Sequence, residues 1–205
     1  MKLYEKYECL KVCEPDIKNA LDVIIKCCKN GGKVLVCGNG GSSADSAHIV
    51  GELLKGFMSK RPLNAEMKEK LISAGNEYGP LMASKLQGSL PAIDLTAMQS
   101  IISAVANDTD PSLVYAQQVM GLGKPGDVLI GISTSGNAAN VTCAGIAAKA
   151  LGLTTVALTG ERGGKMKKLF DITITVPATS TPDVQELHLP VYHAICEAVE
   201  KEIFG

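Results

Sequence analysis

The chain has 205 residues, a formal net charge of -1 and 46% hydrophobic residues. This length suffices for one well-buried domain, and the balanced charge argues against nucleic acid or a membrane surface as the main partner. The sequence contains no apolar stretch of membrane-spanning length, no signal-peptide core at its start, and no Cys-x-x-Cys pair among its seven cysteines. We therefore expect a single-domain cytoplasmic enzyme with reduced thiols.

Residues 1–30 carry apolar positions at helical spacing, and Pro15 is expected to separate two helices. Helical patterns then alternate with five β-branched runs, at 33–38, 91–96, 127–133, 154–160 and 172–177. This alternation predicts an α/β fold, in which a doubly wound, five-stranded parallel sheet is flanked by helices. The last segment is predicted to be a helix that begins near Pro182 and kinks at Pro190.

A glycine-rich turn, Gly-Asn-Gly-Gly-Ser-Ser at 38–43, follows the first predicted strand and precedes a helix. Such a turn aims backbone N–H groups and a helix N-terminus at one spot, which suits a phosphate. The alternative is a simple tight connection, because Gly and Asn are common in turns and the spacing matches neither the Walker pattern nor G-x-G-x-x-G. On this spacing alone, both interpretations stand.

A second turn, Ser-Thr-Ser-Gly-Asn at 133–137, follows the third predicted strand. Its hydroxyl and amide donors are able to hold a phosphate without Lys or Arg, whereas a helix N-cap would account for only one of the three hydroxyls. Parallel strands end at the same edge of a sheet, and ligands bind there. The two turns together therefore predict a phosphate site at this edge.

His48 and Glu52 stand four residues apart and so share one face of the predicted helix. Such a pair is most often a surface hydrogen bond. Gln185 and His193 are eight residues apart on the last helix and project from nearly the same face, whereas His188 falls off that face and is expected to be structural or exposed. His48 and Glu52 on one helix and Gln185 and His193 on the other make four residues, which is the number of ligands in a zinc site, if the two helices meet.

Together these motifs resemble the phosphoheptose isomerases of the sugar isomerase (SIS) family. The resemblance covers residues 1–58 and 90–205. It is carried by the turn at 37–42 with His48 and Glu52, by the run 126–137, by 158–160 and 163–165, and by 185–188 with His193 and Glu197. It implies a single SIS domain over 1–205 with a flavodoxin-like or Rossmann-like sheet, a homotetramer with sites between subunits, and one zinc ion per subunit.

The resemblance also implies an activity. Family members convert sedoheptulose 7-phosphate to D-glycero-D-manno-heptose 7-phosphate by proton transfer through an enediol, in the supply of ADP- or GDP-heptose for cell-envelope polysaccharides. Matched by position, Glu52 and His193 would be the acid/base pair, and the zinc ligands would be His48, Glu52, Gln185 and His193. The implied substrate contacts are Asn39, Gly40, Gly41, Ser42, Glu52, Asn107, Asp108, Ser133, Thr134, Ser135, Ala138 and Gln185. Without the resemblance, Asn107 and Asp108 would be interpreted as a helix C-cap and turn.

The chain departs from the family pattern at several positions. Ala138 replaces a usual serine, the arginine usual after the first site helix is missing from 53–57, and the approach to the last helix at 181–185 lacks its commoner basic residues. Residues 59–89 are longer than the usual link and predict an extra helical hairpin split near Gly75 and Gly79, which serves as a lid, a subunit contact or a packed surface insertion.

Two alternative functions stay open at this point. One is isomerisation of another sugar phosphate, which Ala138 and the insertion at 59–89 suggest. The other is a non-catalytic SIS protein that binds a bacterial replication initiator. The presence of both Glu52 and His193 favours the enzyme over the binding protein.

Overall fold

The structure is a computed structural model that describes residues 2–205. Within this range, five parallel strands form one sheet in the order β2-β1-β3-β4-β5. The strands are β1 (Val34–Gly38), β2 (Ala92–Asp94), β3 (Val128–Ser133), β4 (Thr154–Gly160) and β5 (Ile172–Val176). The predicted five-stranded parallel α/β fold is confirmed, and the predicted strand ends lie within two residues of those observed.

Helices cover both faces of the sheet. They are α1 (Leu3–Lys6), α2 (Glu14–Lys29), α3 (Gly41–Leu54), α4 (Ala65–Ala74), α5 (Gly79–Lys85), α6 (Gln99–Asp108), α7 (Val114–Leu122), α8 (Ala139–Ala150), α9 (Met166–Leu169) and α10 (Thr181–Phe204). Pro15 lies in the first turn of α2, where a missing N–H breaks no helical bond, and a 3-10 turn precedes it. The Ser180 hydroxyl caps α10, which continues through Pro190. No helix in residues 2–205 combines the length and apolarity that a membrane span requires.

Side chains along the strands alternate between two apolar layers, as expected for a sheet that is covered on both faces. In β1, Val34 and Val36 pack into the layer formed with α2, α3 and α10. Leu35 and Cys37 point the other way, into the layer formed with α6, α7 and α8. Because both layers are fully buried, this strand is apolar throughout and does not alternate in polarity.

The topology places the two predicted phosphate turns side by side. β1 and β3 are neighbours in the sheet, so the turn after β1 and the turn after β3 leave the same edge at the point where the strand order reverses. Each of α3 and α10 follows a parallel strand and runs back along the sheet, so the two helices are parallel and pack together. At this contact the side-chain amide of Gln185 packs directly on Gly41, where an added Cβ would overlap it.

A buried ion pair fixes the chain where it leaves α3. The Arg61 guanidinium donates to Glu200 Oε1 at 2.6 Å and to the carbonyls of Leu53 and Glu52 at 2.7 and 2.9 Å. The Glu200 carboxylate also accepts hydrogen bonds from the backbone N–H groups of residues 57–59, at 2.7 to 2.9 Å. The C-terminal end of α3 is therefore tied to α10.

The segment beyond this ion pair contains α4 and α5. α4 ends at Ala74, before Gly75, and α5 begins at Gly79, so the break between them falls at the predicted glycines. In the described chain α4 has no buried residue, and large apolar side chains such as Met67 and Leu81 are exposed. The pair of helices therefore lies on the surface and adds little to the two apolar layers.

Candidate active site

Three side chains with metal-binding atoms converge where α3 meets α10. His48 Nε2 lies 3.1 Å from Glu52 Oε1 and 3.4 Å from His193 Nε2. One ligand atom from each residue lies within 4.8 Å of the others. Since the side chains of His48 and Glu52 are 42% and 20% exposed, the group is open to solvent and to a ligand.

The charge state of His193 follows from its surroundings. Burial lowers the pKa of this imidazole, the neighbouring His48 lowers it further, and Glu52 opposes both effects. The His193 ring is therefore neutral at pH 7, with one nitrogen lone pair available. A neutral imidazole beside a carboxylate is able to accept a proton or to bind a metal ion.

Two further residues hold the His48 ring from its other side. The Tyr192 hydroxyl lies 3.0 Å from His48 Nδ1 and 3.2 Å from Asp45 Oδ1. The sequence analysis missed both residues. The sequence does contain a signal for Asp45, because Asp45, His48 and Glu52 are spaced i, i+3 and i+7 and so share one face of α3.

Gln185 lies elsewhere on the same pair of helices. Its amide packs against Gly41, at the start of α3. At a rise of about 1.5 Å per residue, the eight residues from Gln185 to His193 span about 12 Å along α10. One chain thus brings together three of the four predicted metal ligands, and the participation of Gln185 stays a prediction.

The turn at 133–137 is shaped by its own side chains. Ser133 is buried at the end of β3, and the Ser135 hydroxyl accepts a hydrogen bond from the Asn137 backbone N–H at 3.2 Å. The side-chain amide of Asn137 also donates, to the Ser135 carbonyl at 2.9 Å. Ala138 is the N-cap residue of α8 and offers no side-chain cap. The Val141 N–H donates to Asn140 Oδ1 at 3.0 Å, which leaves the N–H groups of Ala139 and Asn140 at the start of the helix for a ligand.

The turn after β4 packs against the turn at 133–137. Gly136 has a φ of 66°, and a Cβ there would lie 2.1 Å from the Gly163 carbonyl oxygen. The Lys165 backbone N–H donates to Asn137 Oδ1 at 3.1 Å. The turn is thus held rigidly before any ligand arrives, and this favours binding of an anion by backbone N–H and hydroxyl groups.

The turn after β1 is joined to α8 by a pair of amides. Asn39 Nδ2 donates to Asn140 Oδ1 at 2.8 Å, and Asn140 Nδ2 donates back to Asn39 Oδ1 at 2.9 Å. The Tyr115 hydroxyl donates to the Gly38 carbonyl at 2.7 Å. Gly40 adopts a φ of 55° just before α3, and the Ser42 side chain is buried. The side chain of Asn39 therefore links the turn after β1 to α8, the helix that follows the turn at 133–137.

Two other sequence motifs lie apart from this group. Asn107 and Asp108 form the exposed end of α6, where the Asn107 amide donates to Asp108 Oδ1 at 2.7 Å. Their role in substrate binding stays a prediction. His188 is fully buried on α10, and in the described chain neither ring nitrogen has a hydrogen-bond partner of good geometry. Burial lowers the pKa of His188 to about 4, so this ring is neutral and structural.

The chain is similar to known proteins over most of its length. A family model described as a SIS domain matches residues 8–70 and 76–160. A phosphoheptose isomerase of Clostridium acetobutylicum is 41% identical over 189 residues, which span 92% of this chain and 83% of that protein. One from Akkermansia muciniphila is 36% identical over 201 residues, spanning 98% and 93%. The solved structure of the Neisseria gonorrhoeae phosphoheptose isomerase matches with a TM-score of 0.75 and 34% identity, covering 95% of this chain and 91% of that one.

The sheet order and the family model define the class of the molecule as a SIS domain protein. The relatives narrow this class, because they share more than a third of their residues with the chain over most of both lengths. The chain belongs to the phosphoheptose isomerase family. The resemblance deduced from the sequence is confirmed, and so is the enzyme class, an isomerase that acts on a sugar phosphate.

Proposed function

We propose that this protein converts sedoheptulose 7-phosphate to D-glycero-D-manno-heptose 7-phosphate, a precursor of ADP- or GDP-heptose. The observation that carries the proposal is the convergence of Glu52, His48 and His193. Isomerising a ketose to an aldose moves one proton between adjacent carbons and another between their oxygens, which requires a base beside a second proton-transfer group.

The two steps are assigned to the two groups that suit them. The Glu52 carboxylate removes the proton from the carbon next to the carbonyl and returns it to the neighbouring carbon. His193, whose pKa is lowered by burial and by His48, exchanges the proton between the two oxygens. The enediol forms when the first proton leaves and disappears when it is returned, so no redox partner is needed.

The phosphate of the substrate is assigned to the turn at 133–137. Support comes from the rigid backbone there and from the first backbone N–H groups of α8, which suit a dianion. Ser133, Thr134 and Ser135 supply hydroxyl donors. Ala138 contributes only its backbone, so the missing serine hydroxyl is expected to weaken phosphate binding without preventing it.

A zinc ion fits the group formed by His48, Glu52 and His193. Two imidazoles and one carboxylate are a common zinc ligand set that leaves a fourth position open. Zinc bonds of about 2.0–2.1 Å place tetrahedral ligand atoms about 3.3 Å apart. Two of the three distances here are 3.1 and 3.4 Å, and the third, between Glu52 and His193, is within 4.8 Å. When bound, the ion would act as a Lewis acid and stabilise negative charge on the substrate oxygens. His193 has one nitrogen lone pair, so it would bind the ion and exchange the proton in turn and not at the same time.

We infer that the complete site is built from two subunits of a homotetramer. Glu52 lies eleven residues after Gly41, about 16 Å along α3, and so stands far from the phosphate turns of its own chain. If a neighbouring chain supplied its own phosphate turn and its own Gln185 beside Glu52, the distance between Glu52 and the phosphate would be shorter. This inference rests on the family resemblance, and light scattering coupled to gel filtration measures the mass directly.

Subunit complementation tests the shared site. We expect two kinds of chain to be nearly inactive when assembled alone: Glu52→Gln chains, and chains in which Ser133, Thr134 and Ser135 are all changed to Ala. After the two are unfolded, mixed and refolded, a shared site predicts recovered activity, because some sites then combine an intact turn with an intact Glu52. If the mixture stays as inactive as its components, each site lies within one chain.

The function itself is tested with sedoheptulose 7-phosphate and metal-stripped protein, with and without added zinc. Glu52→Gln is expected to lower kcat by about 10²–10⁴-fold, as loss of a general base does. Glu69→Gln, the same change at an exposed residue of α4, is the matched control and should retain activity. Turnover of a different sugar phosphate, or of none by the folded protein, would reject the proposed substrate.

We place the protein in the cytoplasm. Its seven cysteines are all free thiols, four of them buried, as expected in a reducing compartment. Burial raises the pKa of the Cys13 and Cys27 thiols to about 11, so these two are unreactive. Fractionation of the producing cells tests the location.

A further inference from the structure

A row of hydrogen bonds holds the His48 ring on the side facing away from Glu52 and His193. Tyr192 precedes His193 on α10 and is only 3% exposed. Its hydroxyl lies 3.0 Å from His48 Nδ1 and 3.2 Å from Asp45 Oδ1. The row therefore leads from a carboxylate, through a hydroxyl, to the imidazole.

When Asp45 is ionised, one arrangement of protons satisfies both hydrogen bonds of this row. An ionised carboxylate only accepts, so the single Tyr192 proton points to Asp45 and the hydroxyl oxygen is left as an acceptor. It accepts the proton on His48 Nδ1. The lone pair of His48 is then on Nε2, the nitrogen that faces Glu52 and His193. Within residues 2–205 the buried Asp45 Oδ2 has no hydrogen-bond partner, which leaves Tyr192 as the group that engages this carboxylate.

We propose that Tyr192 is a positioning residue that, anchored by Asp45, fixes His48 in the tautomer with its proton on Nδ1. This inference rests on the proposed role of His48 as a metal ligand. In free solution a neutral imidazole exchanges between two tautomers, and only the one with an unprotonated Nε2 is able to bind a metal ion through that atom. Tyr192 thus selects the competent tautomer before the ion arrives.

If Tyr192 served only to pack against its neighbours, the expected results would differ from those of a positioning role. The Tyr192 ring packs edge-on against His48 and His193, with ring centroids 5.4 and 5.1 Å apart. Tyr192→Phe keeps these ring contacts and removes only the hydroxyl. If the ring alone matters, this substitution changes neither the His48 tautomer nor the zinc affinity.

The direct test is the tautomer of His48 in metal-free protein. Nitrogen-15 NMR of the histidine side chains, at a pH where the rings are neutral, distinguishes a protonated Nδ1 from a protonated Nε2. In the unsubstituted protein we expect His48 to carry its proton on Nδ1. Tyr192→Phe should shift it to Nε2, where Glu52 offers an acceptor at 3.1 Å. A proton on Nε2 in the unsubstituted protein overturns the proposal and needs no variant to be folded.

Zinc affinity, measured by competition with a chromophoric chelator, is the second readout. Loss of a residue that orients a metal ligand typically weakens binding 10–100-fold, and we expect a loss of that size for Tyr192→Phe. Tyr115→Phe is the matched control, because it removes a buried tyrosine hydroxyl whose hydrogen bond is to the Gly38 carbonyl and not to His48. Equal zinc affinities for Tyr192→Phe and Tyr115→Phe would contradict the proposal.

These readouts separate the positioning role from the proposed reaction. If the tautomer and the zinc affinity change as expected while sedoheptulose 7-phosphate is not turned over, Tyr192 positions His48 and the substrate assignment is wrong. If turnover is found but the Tyr192→Phe tautomer is unchanged, the reaction stands and the positioning role is rejected.

Discussion

Breaking the ion pair between Arg61 and Glu200 is expected to destabilise the fold strongly, because it leaves a buried charge without its partner. Both side chains are buried, at 0% and 3% exposure. The Glu200 carboxylate accepts a hydrogen bond from the Arg61 guanidinium and three from the backbone N–H groups of residues 57–59. In Glu200→Gln an NH₂ group replaces one carboxylate oxygen. This group is itself a donor, so the N–H groups that bonded to that oxygen lose their acceptor. Breaking a buried ion pair in this way costs about 3–5 kcal/mol of unfolding free energy.

Urea unfolding at fixed protein concentration measures this loss. Glu202→Gln is the matched control, because Glu202 lies on the same helix and pairs with Lys29, but both of these side chains are about half exposed. For this exposed pair we expect no change in the unfolding midpoint beyond the error of measurement. If Glu200→Gln unfolds at the same urea concentration as Glu202→Gln, breaking the buried ion pair does not destabilise the fold.

The pH dependence supplies an independent check. Burial raises the pKa of Glu200, but the N–H groups of Phe57 and Met58 together with Arg61 outweigh this and lower it overall. A lowered pKa stabilises the folded state above the unfolded value of about 4.3, and this stabilisation is lost as the pH falls through the folded pKa. The difference in stability between the unsubstituted protein and Glu200→Gln should therefore shrink below about pH 4.

Three further changes have outcomes that follow from burial and backbone geometry. The pKa of His188 is about 4 in the folded chain against 6.5 when unperturbed, so the unfolded chain gains a proton first and stability should fall by up to about 3 kcal/mol from pH 6.5 to 4. In His188→Leu, urea unfolding should show a smaller fall; an equal fall would contradict the reasoning. Gly51→Ala adds a methyl group that, outside the adjoining residues and the local helix backbone, meets no described atom within 4 Å. Thermal unfolding should therefore show a free energy of unfolding higher by about 0.5–1 kcal/mol. Gly136→Ala forces an alanine to a φ of 66° and against the Gly163 carbonyl, so a loss of at least about 2 kcal/mol is expected in urea, and an unchanged midpoint would argue against it.

The sheet was predictable from the sequence because each strand is a short β-branched run buried on both faces. β2 shows the limit of this signal. The run at 91–96 looks like a six-residue strand, but pairing covers only Ala92–Asp94. The Asp94 carboxylate accepts a hydrogen bond from the Thr96 backbone N–H at 2.9 Å, and this local turn ends the strand.

The candidate site was predictable only in part. The spacing of His48 and Glu52 places them on one face of a helix, but the sequence does not say which helix packs beside that face. His193 joins them because α3 and α10 run parallel, which follows from the topology of the whole sheet. Tyr192 carried no signal of its own, since a tyrosine on an apolar helical stripe is typical of a core position.

The ion pair of Arg61 and Glu200 also has a consequence for motion. It stands where the chain leaves α3, and the helices beyond it contribute little: in the described chain α4 buries no residue, and the buried residues of α5 are Gly79 and Ala83. Because α4 and α5 have so few buried residues, they are able to unfold locally while the rest of the chain stays folded. The ion pair of Arg61 and Glu200 meanwhile keeps the end of α3 folded. Amide hydrogen exchange should therefore divide the chain at Arg61, with fast exchange in α4 and α5 and protection close to the global limit in α3.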